Sequence, residues 1–305
     1  MEQMIVQQVV NWLVLASIYT LLAIGFSLLF GVLDIVHFSH GDVSLIAPFV
    51  ALGVVQGLLA SAAGLDSGLM LLLACLIAVA AIGGLGVVIE RLVIRPFANA
   101  PSLMVLVTTV ALGIVLRELI RDVFPQGSNP HAFPSPLGAT ALWVAGVPVS
   151  WFVLLDLGLT LLLLIAIFAF LRFTPLGICI RAVAQDREAA MMMGIDAART
   201  FRATFFVASA IGAIAGLFFA THVGVVRFDF GILAGLMGFS AAVVGGLGSV
   251  FGAVIGGLLL GGIETIAAVV PGGTAYRQVF AFLLVILFLV FKPSGILGRQ
   301  VVEKV

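Results

Sequence analysis

The chain has 305 residues, 63% of them hydrophobic and 9% charged, and its 14 Lys and Arg balance its 14 Asp and Glu. An ordinary soluble domain is about 45–50% apolar and about 25% charged, so this is an integral membrane protein, and its neutral balance gives no footing for nucleic acid or an anionic substrate. Cys75 and Cys179 both lie in or beside apolar runs far apart in sequence, which makes a disulfide framework or a zinc site improbable.

Apolar runs near 9–33, 43–60, 69–90, 103–121, 151–171, 203–222 and 277–291 approach the roughly 20 residues that a spanning helix needs. Strands of a membrane barrel would be about ten residues long and alternate in polarity. The predicted fold class is therefore an all-α polytopic bundle of about eight hydrophobic helices, read as one transmembrane domain over 1–305. The first run has no basic flank and outlasts the apolar region of a cleavable signal peptide.

Between the first two runs lies "VLDIVHFSHGDVSLIA", which sets Asp34, His37, His40 and Asp42 within nine residues. It predicts a helix break in which Asp34 or Ser39, together with Asp42, caps freed amides. Phe38, Ser39, His40 and Asp42 are then candidates to border a translocation path, with Ser240 further along the chain. The other reading is a metal site, since His37 and His40 at i, i+3 could share a helical face; four polar residues in a short interhelical segment fit capping better.

Arg91 and Arg95 follow the third run, and no Lys or Arg precedes them. The connection 122–150 has none either, carries "FPQGSNPHAFPSP", and ends on "WVAGVPVSW", so it is expected outside with Trp143 and Trp151 near the interface. Arg172, Arg181, Arg187, Arg199 and Arg202 gather in a cytoplasmic loop over 172–202, and Lys292, Arg299 and Lys304 place the C-terminus inside. Counting crossings back puts the N-terminus outside.

The region 231–270 is rich in glycine, with Gly248, Gly252 and Gly256 at i, i+4 and the same spacing at Gly212 with Gly216 and Gly257 with Gly261. Small residues at that spacing let helix backbones approach in lipid, and their crowding suggests a discontinuous or re-entrant element. Glu264 lies seven residues before Pro271, about 10 Å inside its helix end. A carboxylate there needs a partner, and Arg277 is the nearest basic residue in sequence, so a structural pair is expected. Apart from Glu264, only Asp156 is an acid well away from evident loops, which leaves little for an ion-coupled carrier.

Enzyme motifs are missing. Lys292 and Lys304 are the only lysines and neither follows a glycine loop, so the chain has no P-loop for ATP. No G-x-G-x-x-G occurs, and the two G-F-S triplets ending at Ser27 and Ser240, with His37, His40 or His222 as conceivable bases, are a thin signal for an intramembrane hydrolase. No cofactor or metal is assigned to the chain.

The most specific text is "RFTPLGICIRAVAQDREAAMMMGIDAARTF", residues 172–201. Pro175 and Gly177 break the preceding helix, Asp186 is a fitting N-cap, Glu188 sits in the first turn, and Gly194 closes a short helix as its C′ residue. A helix this short needs a partner to pack on, and Met191, Met192 and Met193 offer an adaptable apolar surface for one. "EAAMMMG" matches the E-A-A-x-x-x-G core of the coupling loop of bacterial ATP-binding-cassette importer permeases. With "VLDIVHFSHGDVSLIAPF", "AAVVGGLGSVFGAVIGG" and "FKPSGILGR", the chain resembles, from about Asn11 to Arg299, the branched-chain amino acid permeases, and among them the shorter of two paired subunits. It departs from the wider importer pattern in having "RTFRATFF" where an I-x-L-P is usual.

The resemblance implies a multi-pass protein of the bacterial inner membrane that pairs with a second, homologous permease as a heterodimer. It implies an external substrate-binding protein and two cytosolic ATPase subunits, which hold the ATP and Mg. Arg181, Asp186, Glu188, Ala189, Ala190 and Gly194 would form the ATPase-coupling surface. Hydrophobic amino acids are the implied substrate class, with amides, urea or other amino acids in related systems.

Overall fold

A computed structural model describes residues 2–60, 67–97, 100–135, 139–270 and 272–298; Pro271, Arg299 and Lys304 lie outside the described residues. The chain runs α1 (Glu2–Leu33), α2 (His40–Ala60), α3 (Ser67–Ile89), α4 (Ser102–Val123), β1 (His131–Ala132), β2 (Thr140–Val144), β3 (Val147–Ser150), α5 (Trp151–Phe173), α6 (Pro175–Gln185), α7 (Arg187–Met192), α8 (Ala197–Val223), β4 (Val225–Val226), α9 (Phe230–Gly245), α10 (Val250–Val269) and α11 (Arg277–Phe291). Among the described residues seven helices are long and apolar enough to cross a membrane, and α9 and α11 are shorter apolar helices of 16 and 15 residues. The expected all-α polytopic bundle is the fold, and the protein is a multi-pass membrane protein.

Helix α1 is the axis of the bundle. Its residues from Val14 to Leu29 are almost continuously buried, and it packs against α5, α8, α9 and α10. A uniformly apolar sequence suits such a position, because the helix has no polar face to turn outward. Peripheral helices bury a single narrow stripe: in α4 only Val105, Thr109, Gly113 and Leu116 are buried. Exposed Leu, Val and Ile over the rest of α3, α4 and α5 suit lipid or a neighbouring subunit.

Element boundaries shift from the sequence reading at three places. Helix α1 begins at Glu2 and α8 at Ala197, so residues 197–202 belong to α8 and not to the preceding connection. Helix α3 runs on through a π-helical turn at Glu90–Ile94 and a 3-10 turn at Arg95–Phe97. The glycine-rich region is a helical hairpin: α9 and α10 are joined by a turn in which Gly246 (φ 109°) and Gly248 (φ 81°) take backbone conformations open to glycine. Gly248 therefore lies outside the helical ladder, while Gly252 and Gly256 press on the backbone of Gly245 and Ala241, and Gly257 and Gly261 on that of Thr20 and Ala16.

Short strands occupy the connections. β2 and β3 form a hairpin whose turn residues Ala145 and Gly146 both have positive φ, matching the twist of the flanking strands. β1 pairs antiparallel with β4, tying the connection after α4 to the one after α8. At the other end, Ile296 N–H donates to Val244 O at 3.0 Å and Leu297 N–H to Gly245 O at 2.9 Å, so the C-terminal segment satisfies carbonyls left open at the end of α9.

Candidate functional site

The connection between α5 and α8 folds from local signals. Pro175 opens α6, with Thr174 Oγ1 accepting from Gly177 N–H at 3.0 Å. Asp186 caps α7, its Oδ1 accepting from Ala189 N–H at 3.0 Å, and Asp196 caps α8 in the same way through Arg199 N–H. Gly194 reverses the chain at φ 83°, and Ile195 N–H returns to Ala190 O at 3.1 Å, a closure that glycine makes at little cost.

Arg181, Asp186, Glu188, Ala189 and Gly194 are exposed, and Met192 and Met193 are 84% exposed. Ala190 differs from the other residues of the expected coupling surface. It is buried with Val32, Ile180, Val183 and Phe201, and the Arg187 guanidinium lies 5.0 Å from the centre of the Phe201 ring. Ala190 anchors α7 to the bundle and does not face outward. Val32 of the same cluster belongs to the last turn of α1, immediately before the break.

In the break, Asp34 N–H still bonds Phe30 O at 2.8 Å, Asp34 itself has φ 55°, and α2 starts only at His40. The expected caps do not form: the Ser39 hydroxyl lies 3.2 Å from His37 Nε2, and Asp42 faces Arg117, with 3.5 Å between Oδ1 and Nη1. Ser39 and His40 are wholly buried, Ser240 is buried, and Phe38 remains partly exposed with its ring 5.4 Å from that of Phe239. The His40 ring sits edge-on to Phe26, 4.8 Å between centres, in a slot between α1 and α8 that exists because Gly25 and Gly212 have no Cβ to meet it. In the single chain, then, His40 is a packing residue. Asp34 is exposed and Asp42 is turned to Arg117, so the four polar side chains do not converge; among the described residues no three His, Cys, Asp or Glu come together to hold a metal. Ser27 Oγ and both His40 nitrogens are buried without hydrogen-bond partners, which leaves no Ser–His pair at the first G-F-S triplet.

Two acids inside the bundle have partners. Arg277 Nε lies 3.3 Å from Glu264 Oε1, and the Tyr19 hydroxyl donates to Oε2 of the same carboxylate. Asp156 Oδ2 accepts from Ser17 Oγ at 2.6 Å, joining α5 to α1. Glu90, at the start of the π-helical turn, is buried with neither carboxylate oxygen hydrogen-bonded. Tyr19, Ser17, Arg117 and Glu90 are absent from the sequence-derived candidates.

A multi-span bundle that projects one small, capped, exposed helix has the form of a membrane transport subunit built to engage other chains. The family described as branched-chain amino acid transport system / permease component matches residues 8–289, and the chain belongs to it. It is 35% identical over 304 residues, covering 98% of this chain and 97% of the relative, to the high-affinity branched-chain amino acid transport system permease protein BraD of Pseudomonas aeruginosa. It is 34% identical over 312 residues, with the same coverage, to the corresponding permease protein LivH of Escherichia coli (strain K12), and 34% identical to LivH of Salmonella typhimurium. No solved structure matches significantly. As a member of this family the chain is a transport subunit and not itself an enzyme.

Proposed function

We propose that this chain is the shorter permease subunit of an ATP-driven importer that carries hydrophobic, branched-chain amino acids into the cytoplasm. A second, homologous permease completes the membrane pathway, an external binding protein delivers substrate, and two cytosolic ATPases supply ATP, Mg and the stroke. The protein resides in the bacterial inner membrane with its N-terminus and β-strand connections outside and α7 and the C-terminus inside. The observation that carries this reading is α7 itself: an exposed helix closed by Asp186 and Gly194, too short to persist alone, whose exposed methionines form an adaptable docking surface.

Ala190 turns docking into motion. A push on α7 is received by Val32, Ile180, Val183 and Phe201, and Val32 ends the central helix just before residues 34–39. Packed cores transmit such displacement because they resist compression. The break next to α1 then yields, while α8 and α10 hold their packing on the rest of the helix.

The test is uptake of labelled L-leucine into vesicles holding the four-subunit complex with its binding protein. ATP inside the cytoplasmic-equivalent compartment should be required, and collapse of proton and sodium gradients should leave uptake unchanged. Uptake that follows an ion gradient without ATP would replace this reading with a secondary carrier.

A further inference from the structure

Arg117 and Asp42 pose a problem that the bundle alone does not solve. Asp42 is 8% exposed and Arg117 18%, yet the two meet through one pair of atoms at 3.5 Å, the outer limit of a hydrogen bond. A buried pair kept for stability needs close, multiple contacts to offset desolvation, and an Arg–carboxylate pair is commonly bidentate. Here Arg117 uses one of its five N–H donors on the pair.

The surroundings are those of a site. A cavity of about 10 Å³ borders both side chains and is otherwise lined by Leu45, Ile46, Phe49, Leu116, Ile120 and Phe228. Two helices begin beside it: α2 at His40 and α9 at Phe230, where Gly231 lies so close that a Cβ there would meet Asp42 Oδ1. Helix starts carry partial positive charge from their free N–H groups, so a carboxylate is favoured there, as it is at the broken helices of other transporters.

We propose that Asp42 and Arg117 bind the charged backbone groups of an α-amino acid in transit, a proposal that rests on the amino-acid importer reading above. The substrate carboxylate lies on Arg117 and the start of α9, its ammonium on Asp42, and its apolar side chain among Ile46, Phe49 and Phe228. The cavity as it stands is close to the size of one water molecule, so the site opens when α4 moves away from α2. Helix α4 is suited to that movement because it buries only four of its residues, and thinly packed elements open most readily.

Leucine uptake by the reconstituted complex tests this, with Asp42→Asn, Arg117→Gln and the Asp42→Asn/Arg117→Gln double variant. The proposal expects uptake at least tenfold below wild type in all three, with normal assembly. Recovery of the double variant to within twofold of wild type would assign the pair to structure and overturn it. Should the variants fail to assemble, Phe228→Cys in a Cys75→Ala/Cys179→Ala background decides. L-leucine should slow its labelling by a polar thiol reagent, while isoamylamine and isovalerate, each lacking one charged group, should not. Equal labelling with and without leucine would refute the site. Absence of leucine uptake by the wild-type complex would instead refute the functional reading on which the site rests.

Discussion

The hydroxyl of Tyr19 donates to Glu264 Oε2 over 2.5 Å, while Arg277 Nε stands 3.3 Å from the other oxygen of the same carboxylate. One buried acid thus joins the central helix to the last two. Removing Tyr19 by Tyr19→Phe leaves a buried acceptor unsatisfied and should cost about 1–3 kcal/mol. Arg277 is half exposed, so Arg277→Gln should cost no more than about 1 kcal/mol. Glu264→Gln keeps an acceptor for Tyr19 and should melt nearer to wild type than Glu264→Leu. Melting of the purified complex in detergent checks the order, and wild-type melting of Glu264→Leu would remove the network from the stability of the bundle.

The slot around His40 predicts a rescue. Gly25→Ala puts a methyl group where the imidazole lies, an overpacking that costs about 1–3 kcal/mol. His40→Ala opens a cavity of its own, yet Gly25→Ala/His40→Ala should be more stable than the sum of the two losses, because each change relieves the other. Additive losses would mean that the ring has room to leave the slot.

Labelling separates the residues of the break. Phe38→Cys is expected to react with a polar thiol reagent in the absence of nucleotide, since this position is partly exposed, whereas Ser39→Cys and His40→Cys, wholly buried, should be protected. ATP should raise the reaction of the buried pair if the break yields during transport. Identical rates at all three positions in every nucleotide state would exclude the break from the moving part of the molecule.

Gly194 tests coupling. Nothing lies within 4 Å of the position its Cβ would occupy, and its φ is 83°, so the barrier to substitution is conformational: a β-branched residue resists this backbone by about 1–2 kcal/mol. Gly194→Val should leave the bundle inserted and assembled but lower ATPase co-purification or uncouple hydrolysis from uptake; Gly194→Asn, better tolerated in this region, should be milder. Full uptake by Gly194→Val would place the coupling surface elsewhere.

Those experiments follow a boundary between what sequence carries and what only folding supplies. Helix α7 was legible because its signals are local: Asp186 caps it and Gly194 ends it within a few residues. Glu264 and Arg277 were readable as neighbours since one short turn separates their helices. Tyr19 is 245 residues from Glu264, Asp156 is 139 from Ser17, and Arg117 is 75 from Asp42. In uniformly apolar helices no periodicity says which face meets which, so these partners had no sequence signal beyond being polar. The facing of Ala190 was hidden for the same reason, because a six-residue helix takes its orientation from whatever it is packed on.

The hydrogen bonds from Ile296 and Leu297 to the end of α9 impose an order on the making of the protein. The carbonyls of Val244 and Gly245 leave the ribosome 52 residues before Leu297, a delay of about 3–10 s at ordinary synthesis rates of about 5–20 residues per second. During that interval the two carbonyls at the end of α9 lack these partners. Ile296 and Leu297 act as a clasp, so a nascent chain that stalls or is clipped just after α11 carries every helix described here and still lacks a closed hairpin.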